Sequence, residues 1–126
     1  MTDSGPYLLL GEQAGIRKVV DRFYGVMDES EQTRMIRDMH AADLTPMCEK
    51  LTDYLCEWLG GPKLYSQKTG TVCLTKPHSH FKIDAQARDE WLYCIEQALL
   101  EAEAPDEVRD MLRVPFQRIA DIMRNH

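Results

Sequence analysis

The segment QAGIRKVVDRFYGVM, residues 13–27, decides the fold class, because its apolar side chains repeat at the spacing of an α-helix. This pattern predicts a helix from about Gln13 to Met27 with one buried face. Tyr24 lies beside that face, one turn after Val20. The side chains expected to be buried are Ile16, Val19, Val20, Phe23 and Met27.

Outward from this segment, the same helical periodicity recurs three times, and a short helix is predicted from about Glu31 to Met39. Thr45-Pro46 predicts a helix start, with threonine as the cap, and Gly60-Gly61-Pro62 predicts its end. Further helices start at Asp84 and Pro105. In the helix that starts at Thr45-Pro46, the expected buried positions are Leu51, Tyr54, Leu55, Trp58 and Leu59. In the helix that starts at Asp84 they are Trp91, Ile95, Ala98, Leu99 and Ala102, with Arg88-Asp89-Glu90 facing solvent. In the last helix they are Val108, Met111, Leu112, Phe116, Ile119, Ile122 and Met123.

The stretch from Lys63 to Lys82 has no sustained period, so it is interpreted as an ordered loop with about one helical turn. Within it, Thr71–Thr75 has the composition of a short strand, but no second strand is predicted to pair with it. Pro115 predicts a kink in the last helix. Four or five amphipathic helices without paired strands indicate an all-α fold.

Composition restricts the class of protein further. The 126 residues suit one domain, 1–126, with residues 1–10 as an N-terminal extension that we expect to be flexible. The formal charge of −6 and the scattered basic residues argue against nucleic acid and against an anionic membrane. No apolar run is long enough to span a bilayer, and the N-terminus lacks a signal-peptide pattern, so we expect a cytoplasmic protein. The four cysteines show no C-x-x-C pair, and Cys48, Cys56 and Cys94, which lie within helical apolar patterns, are interpreted as structural thiols.

The segment Lys76-Pro77-His78-Ser79-His80-Phe81 is the most suggestive for chemistry, because a loop can aim an imidazole into a cavity, and imidazole binds iron, zinc and copper. An H-x-H pair alone is a weak signal, and an exposed polar loop explains it equally. Zinc through Cys73 with one of these histidines is disfavoured, because the other cysteines lie on separate helices without pair spacing.

Three polar or aromatic side chains, Tyr24, His40 and Trp91, lie near predicted apolar faces. A buried tyrosine or tryptophan usually needs a partner for its one donor. Core aromatics with incidental hydrogen bonds remain the simpler interpretation of these residues taken singly.

Taken together, several segments resemble the truncated haemoglobins, most closely their group II. The resemblance rests on Asp21-Arg22-Phe23-Tyr24, on Trp58-Leu59-Gly60-Gly61-Pro62 with Tyr65, on His78-x-x-Phe81-x-Ile83, and on Arg88-Asp89-x-Trp91-Leu92-x-Cys94. Their order and spacing cover nearly the whole chain. The resemblance implies a globin-like, truncated helical sandwich with a haem pocket, and haem b, iron protoporphyrin IX, as the cofactor.

The resemblance also implies roles for single residues. His78 matches the proximal histidine that binds the iron, whereas His80 falls where the family often has proline. On the distal side, Tyr24 and Trp91 match hydrogen-bond donors, His40 occupies a position that can be Phe, Tyr or His, and Met47 and Leu51 match positions facing the ligand. The residues expected to contact the haem are His78, Lys50, Tyr65, Lys76 and Phe81, with Lys50, Tyr65 and Lys76 as the partners of the propionates.

This chain departs from the family's pattern in three places. Gly11-Glu12 replaces an early Gly-Gly pair, and Pro77 replaces a residue that is often basic, which leaves the propionate contacts near His78 unsupported. His40 and His80 add two imidazoles near the expected site, so a second ligand to ferric iron is an open alternative.

The function implied by the resemblance is binding of O₂, NO, CO or other small ligands at a five-coordinate iron. It includes oxygen transport, NO dioxygenation with a partner reductase, and peroxidase-like redox chemistry. Two alternatives stay open: a haem-based sensor or redox relay, and a metal-free helical interaction module. The sequence does not decide between a monomer and a homodimer.

Overall fold

The computed structural model describes residues 5–40, 42–69 and 82–125. These residues form seven α-helices and one 3₁₀ turn, and no β-strand occurs among them. The prediction of an all-α fold is therefore confirmed. The helices are α1 (Pro6–Leu9), α2 (Glu12–Glu29), α3 (Arg34–Asp38), α4 (Thr45–Trp58), α5 (Leu64–Thr69), α6 (Ala85–Glu101) and α7 (Asp106–Met123), with the 3₁₀ turn at Glu31–Thr33 between α2 and α3.

Helix α2 forms the centre of the core and packs chiefly against α6 and α4. The five apolar positions predicted for its inner face are all buried, and Tyr24 and Val26 are buried beside them. Ser30 ends the helix in an extended conformation, and its hydroxyl accepts a hydrogen bond from the Gln32 amide at 3.1 Å. The chain therefore turns directly from α2 into the 3₁₀ turn.

The start of α4 differs in detail from the prediction. Thr45 is the first helical residue rather than the cap, and no side chain caps the helix from Leu44. Instead, the Asp43 carboxylate accepts a hydrogen bond from the Thr45 amide at 3.0 Å, and this bond lowers the pKa of Asp43. Pro46 lies in the first turn, as predicted.

Two glycines explain how α4 ends. Gly60 has φ +101°, in the left-handed region that side chains avoid, so the helix stops there as predicted. A Cβ at Gly61 would lie 2.4 Å from the Tyr7 ring. The Tyr7 amide also donates to the Leu59 carbonyl at 3.2 Å, so α1 packs against the end of α4.

The region predicted as a loop contains α5, which is longer than one turn. Residues 70–81 lie outside the described residues, and they include the strand candidate Thr71–Thr75.

Helix α6 begins as predicted, because the Asp84 carboxylate accepts a hydrogen bond from the Ala87 amide at 3.0 Å. One expectation for its outer face is wrong: Glu90 is buried, with 7% of its surface exposed. Glu90 lies one turn from Ala87 and one turn from Cys94, which are also buried, so it belongs to the inner face.

Helix α7 contains Pro115 inside its span and runs to Met123. Five of the seven side chains predicted for its inner face are buried. Met111 and Ile122 are the exceptions, with 38% and 54% of their surface exposed, because they lie on the side of the helix away from the core. No helix in the described part of the chain is long and apolar enough to cross a membrane.

Candidate functional site

Tyr24 is the most informative polar side chain of the core. Only 5% of its surface is exposed, and burial raises the pKa of its hydroxyl, which therefore stays protonated. None of the hydrogen bonds among the described residues involves this hydroxyl. No described side-chain oxygen is both fully buried and unpartnered. The Tyr24 oxygen therefore keeps contact with open space and is available as a donor.

An aromatic cluster surrounds Tyr24 and connects it to Trp91. The Phe23 ring lies edge-on to Tyr24, with ring centroids 4.9 Å apart, and its centroid is 5.7 Å from that of Trp91. Phe116 continues the cluster, 5.9 Å from Trp91 and 5.2 Å from Trp58. All of these contacts are edge-on except that between Trp58 and Phe116, which is tilted by 35°, and contacts of both kinds favour particular ring orientations. Trp91 is half-buried, and within the described segments its indole N–H donates to no acceptor.

His40 lies on the other side of Tyr24, with ring centroids 5.8 Å apart and an interplanar angle of 71°. Its Nδ1 atom is 2.7 Å from the Ile36 carbonyl oxygen. A carbonyl oxygen only accepts, so Nδ1 carries the proton. In the neutral imidazole, Nε2 is then an acceptor. The sequence predicts His40 as a ligand-stabilising residue, but in the neutral imidazole the one N–H group donates to the backbone carbonyl of Ile36.

Helix α4 provides an incompletely covered apolar surface. Met47 and Leu51 are both half-buried and pack against the core cluster, as do Tyr54 and Trp58. Lys50 lies on the same helix and is exposed.

Polar contacts connect α5 to α4. The Glu57 carboxylate accepts a hydrogen bond from the Ser66 amide at 2.9 Å, in the first turn of α5. Lys68 forms an ion pair with Asp53 at 2.7 Å, and the Asp53 side chain is mostly buried. Tyr65, which is half-buried, lies edge-on to Tyr54 with ring centroids 5.3 Å apart. These contacts position the chain as it leaves α5 toward residue 70.

His78, the predicted iron ligand, lies outside the described segments. So do Lys76 and Phe81, which were expected to contact the haem, and the alternative ligands His80 and Cys73. Their roles stay predictions. Among the described residues, no group of three or more histidine, cysteine or acidic side chains is arranged to hold a metal ion.

The described cysteines, Cys48, Cys56 and Cys94, are free and buried, as predicted. Burial raises the pKa of all three thiols, that of Cys94 to about 12. They are therefore protonated and unreactive near neutral pH. Burial is the main cause of the raised pKa of Tyr24, with smaller contributions from the nearby Cys48 and Cys94.

Sequence reasoning missed one residue near this site, Glu90. One carboxylate oxygen accepts a hydrogen bond from the Ile36 amide at 3.1 Å, and the other accepts one from the Gln86 side chain at 3.0 Å. Its spacing from Ala87 and Cys94 was the feature that could have indicated burial, because residues three and four positions apart share one face of a helix.

Together, these residues are neighbours in the core: Tyr24 lies against His40, Phe23 connects Tyr24 to Trp91, and apolar side chains of α4 pack against the same cluster. The Tyr24 hydroxyl and the Trp91 indole N–H are donors that no described residue accepts, and such donors favour a ligand that carries partial negative charge. Among the residues described, this group contains no nucleophile activated by a base.

Comparisons with known proteins identify the family and the fold. The sequence profile of the bacterial-like globin family matches residues 6–125. The group 2 truncated haemoglobin YjbI of Bacillus subtilis is 29% identical over 109 residues, which cover 86% of this chain and 80% of that protein. A cold-adapted truncated haemoglobin from the Antarctic marine bacterium Pseudoalteromonas haloplanktis superposes with a TM-score of 0.93 at 34% identity, covering 98% of this chain and 99% of the other. The structure of a truncated oxygen-avid haemoglobin from Bacillus subtilis superposes with a TM-score of 0.88 at 28% identity, covering 97% and 100% of the two chains.

Proposed function

The chain belongs to the bacterial-like globin family, in which it is a group II truncated haemoglobin. From this premise we propose that His78 binds the iron of a haem b, and that a diatomic gas binds to the same iron. Membership itself implies a haem-binding globin for small gaseous ligands. The choice of His78, the type of haem and the reaction are parts of the proposal.

The described residues fit a flat apolar cofactor that carries a small polar ligand. The α4 side chains Met47, Leu51, Tyr54 and Trp58 leave an apolar surface half-covered, and a buried tyrosine hydroxyl lies unpartnered beside it. A haem, when bound, supplies a ferrous iron with one open coordination position. Lys50, Tyr65 and Lys76 are proposed to bind its propionates, and Phe81 to pack against the ring.

The observation that carries the proposal is the Tyr24 hydroxyl. It is protonated, the ring that carries it packs against the rings of Phe23 and His40, and no described residue accepts its hydrogen bond. Tyr24 and the Trp91 indole N–H would each donate a hydrogen bond to bound O₂. One such charge-assisted bond in a dry pocket contributes about 1.5–3 kcal/mol, or roughly ten-fold to more than a hundred-fold in affinity.

Strong retention of O₂ favours chemistry on the bound gas over transport. The oxygen-avid relative from Bacillus subtilis has the same fold, which supports slow O₂ release here. We therefore propose NO dioxygenation, in which NO and O₂ become nitrate and ferrous iron becomes ferric. A partner reductase must return one electron for each turnover, and we expect both proteins in the cytoplasm. Peroxidase-like chemistry is the alternative outcome of the same test.

The first experiment is spectroscopic. The protein expressed with a haem supply should show a Soret band that His78→Ala abolishes and His80→Ala preserves. Loss of the band in both variants, or in neither, would reject His78 as the single iron ligand. A colourless wild-type protein would favour the metal-free helical module.

The second experiment concerns the donors and the reaction. Tyr24→Phe and Trp91→Phe should each speed O₂ dissociation about ten-fold or more, measured by stopped flow. Mixing the oxygenated protein with NO should yield nitrate stoichiometrically, and repeatedly once a reductase is added. Unchanged dissociation rates in both variants would remove these residues as donors, and absence of nitrate would reject the reaction.

A further inference from the structure

Glu90 is a buried carboxylate whose two oxygens are both occupied by protein donors. Oε1 accepts from the Ile36 amide at 3.1 Å, across 54 residues of sequence, and Oε2 accepts from Gln86 Nε2 at 3.0 Å. A carboxylate that is 93% buried is costly unless it is hydrogen-bonded. The two contacts satisfy this requirement and connect α6 to α3.

The contact with Ile36 has a local physical reason. Ile36 is the third residue of α3, where backbone amides lack partners within the helix, and no side chain caps α3 from Thr33. Glu90 therefore supplies from α6 the carboxylate that a helix start favours. Because Ile36 is itself buried, water cannot easily replace this acceptor.

Both backbone groups of Ile36 are thereby used. Its amide donates to Glu90, and its carbonyl accepts the proton of His40 Nδ1 at 2.7 Å. The His40 ring in turn lies against Tyr24. A continuous series of contacts therefore runs from the Glu90 carboxylate through Ile36 and His40 to the ring of Tyr24.

We infer that Glu90 is a positioning residue of the distal pocket, which sets the orientation of His40, and through it that of the Tyr24 hydroxyl, toward the bound gas. Glu90 directly precedes Trp91 in α6. The same turn of this helix therefore carries the indole donor and, through the hydrogen bond to Ile36, positions the imidazole of His40. The relative placement of Tyr24, His40 and Trp91 then depends on two adjacent residues. This inference rests on the proposed function.

The test compares the C–O stretching bands of the ferrous holoprotein under CO, since these bands report the hydrogen bonds around the gas. Glu90→Ala should change the relative intensities of the bands. It should also speed O₂ dissociation by about three- to ten-fold, as expected when one hydrogen bond to the gas is weakened by poor alignment. Glu90→Gln keeps an acceptor for the Ile36 amide and should resemble the wild type. Glu96→Gln, an exposed position on the same helix, serves as the matched control.

A double-mutant cycle with His40→Ala identifies the route. If Glu90 acts through His40, Glu90→Ala should add no further change to the bands or the O₂ rate in the His40→Ala background. Full additivity of the two variants would overturn the inference. So would a Glu90→Ala protein with a lower denaturation midpoint but wild-type bands and O₂ rate, because Glu90 would then only stabilise the fold.

If Glu90→Ala yields no folded holoprotein, Glu90→Met fills the same volume without an acceptor and is measured in its place, with the same two criteria. A wild-type protein without a Soret band would reject the proposed function and this inference with it, whereas wild-type bands in the substituted holoprotein reject the inference alone.

Discussion

The contact between α2 and α6 and the contact between α4 and α5 are built in opposite ways. Between α2 and α6, side chains such as Ile16, Phe23 and Ile95 are almost completely buried. Between α4 and α5, the described links are the Glu57–Ser66 hydrogen bond, the Asp53–Lys68 ion pair and the Tyr54–Tyr65 ring contact. The first contact excludes water, whereas the second lies partly at the surface.

This difference indicates a division between stability and adjustment. Apolar burial is strong and not directional, so the α2–α6 contact should determine whether the chain folds. Hydrogen bonds and partly exposed ion pairs contribute less but fix geometry. The α4–α5 contact precedes residues 70–81, which include His78, so we expect it to affect haem retention more than folding.

The largest effect is expected from Phe23→Ala. This substitution removes a ring that is 1% exposed and contacts both Tyr24 and Trp91, so it should reduce the free energy of unfolding by about 3–5 kcal/mol. Chemical denaturation of the holoprotein measures this change. Leu100→Ala, at a position that is 49% exposed, is the control and should change stability by less than about 0.5 kcal/mol. Equal losses in the two variants would contradict the assigned core.

An intermediate effect is expected from Glu57→Ala, which leaves the Ser66 amide at the start of α5 without its acceptor. We expect a loss of about 1 kcal/mol in the free energy of unfolding, together with faster haem transfer to an apo-globin acceptor. Glu57→Gln keeps a side-chain acceptor and should retain most of the wild-type behaviour. Equally fast haem transfer in Leu100→Ala, the exposed control, would contradict the role assigned to this hydrogen bond.

The smallest effect is expected from Glu101→Gln. Glu101 forms an ion pair with Arg22 at 2.9 Å across the α2–α6 contact, but both side chains are more than 40% exposed. Solvent screening should limit the loss to below about 0.5 kcal/mol, and high salt should abolish it. A larger loss, measured by denaturation at low and high salt, would show that electrostatics contributes to a contact that we attribute to apolar burial.

The sequence was sufficient for the elements whose periodicity is strong. The inner face of α2, the start of α6 at Asp84 and the end of α4 at Gly60 are confirmed because each depends on local spacing or backbone geometry. Met111 and Ile122 were assigned wrongly to the core, since a helix with apolar residues on two faces does not reveal which face is covered.

The candidate site was less predictable. Tyr24 lies against His40, and Phe23 connects Tyr24 to Trp91, while the roles of these residues toward a ligand stay predictions. No pattern within the chain predicts the proton on His40 Nδ1 or the partner of the Glu90 carboxylate. The proton depends on a carbonyl group four residues earlier in the chain, whereas Glu90 and its partner Ile36 are 54 positions apart. Long-range contacts of this kind leave no periodic signal.

One further consequence concerns Asn125. Its backbone amide donates to the Ile83 carbonyl at 2.8 Å, and its side-chain oxygen accepts from the Ile83 amide, also at 2.8 Å. Two hydrogen bonds therefore connect the residue just past α7 to the residue just before Asp84 and α6. In deuterated solvent these two amides should gain mass in step, because opening either end releases both.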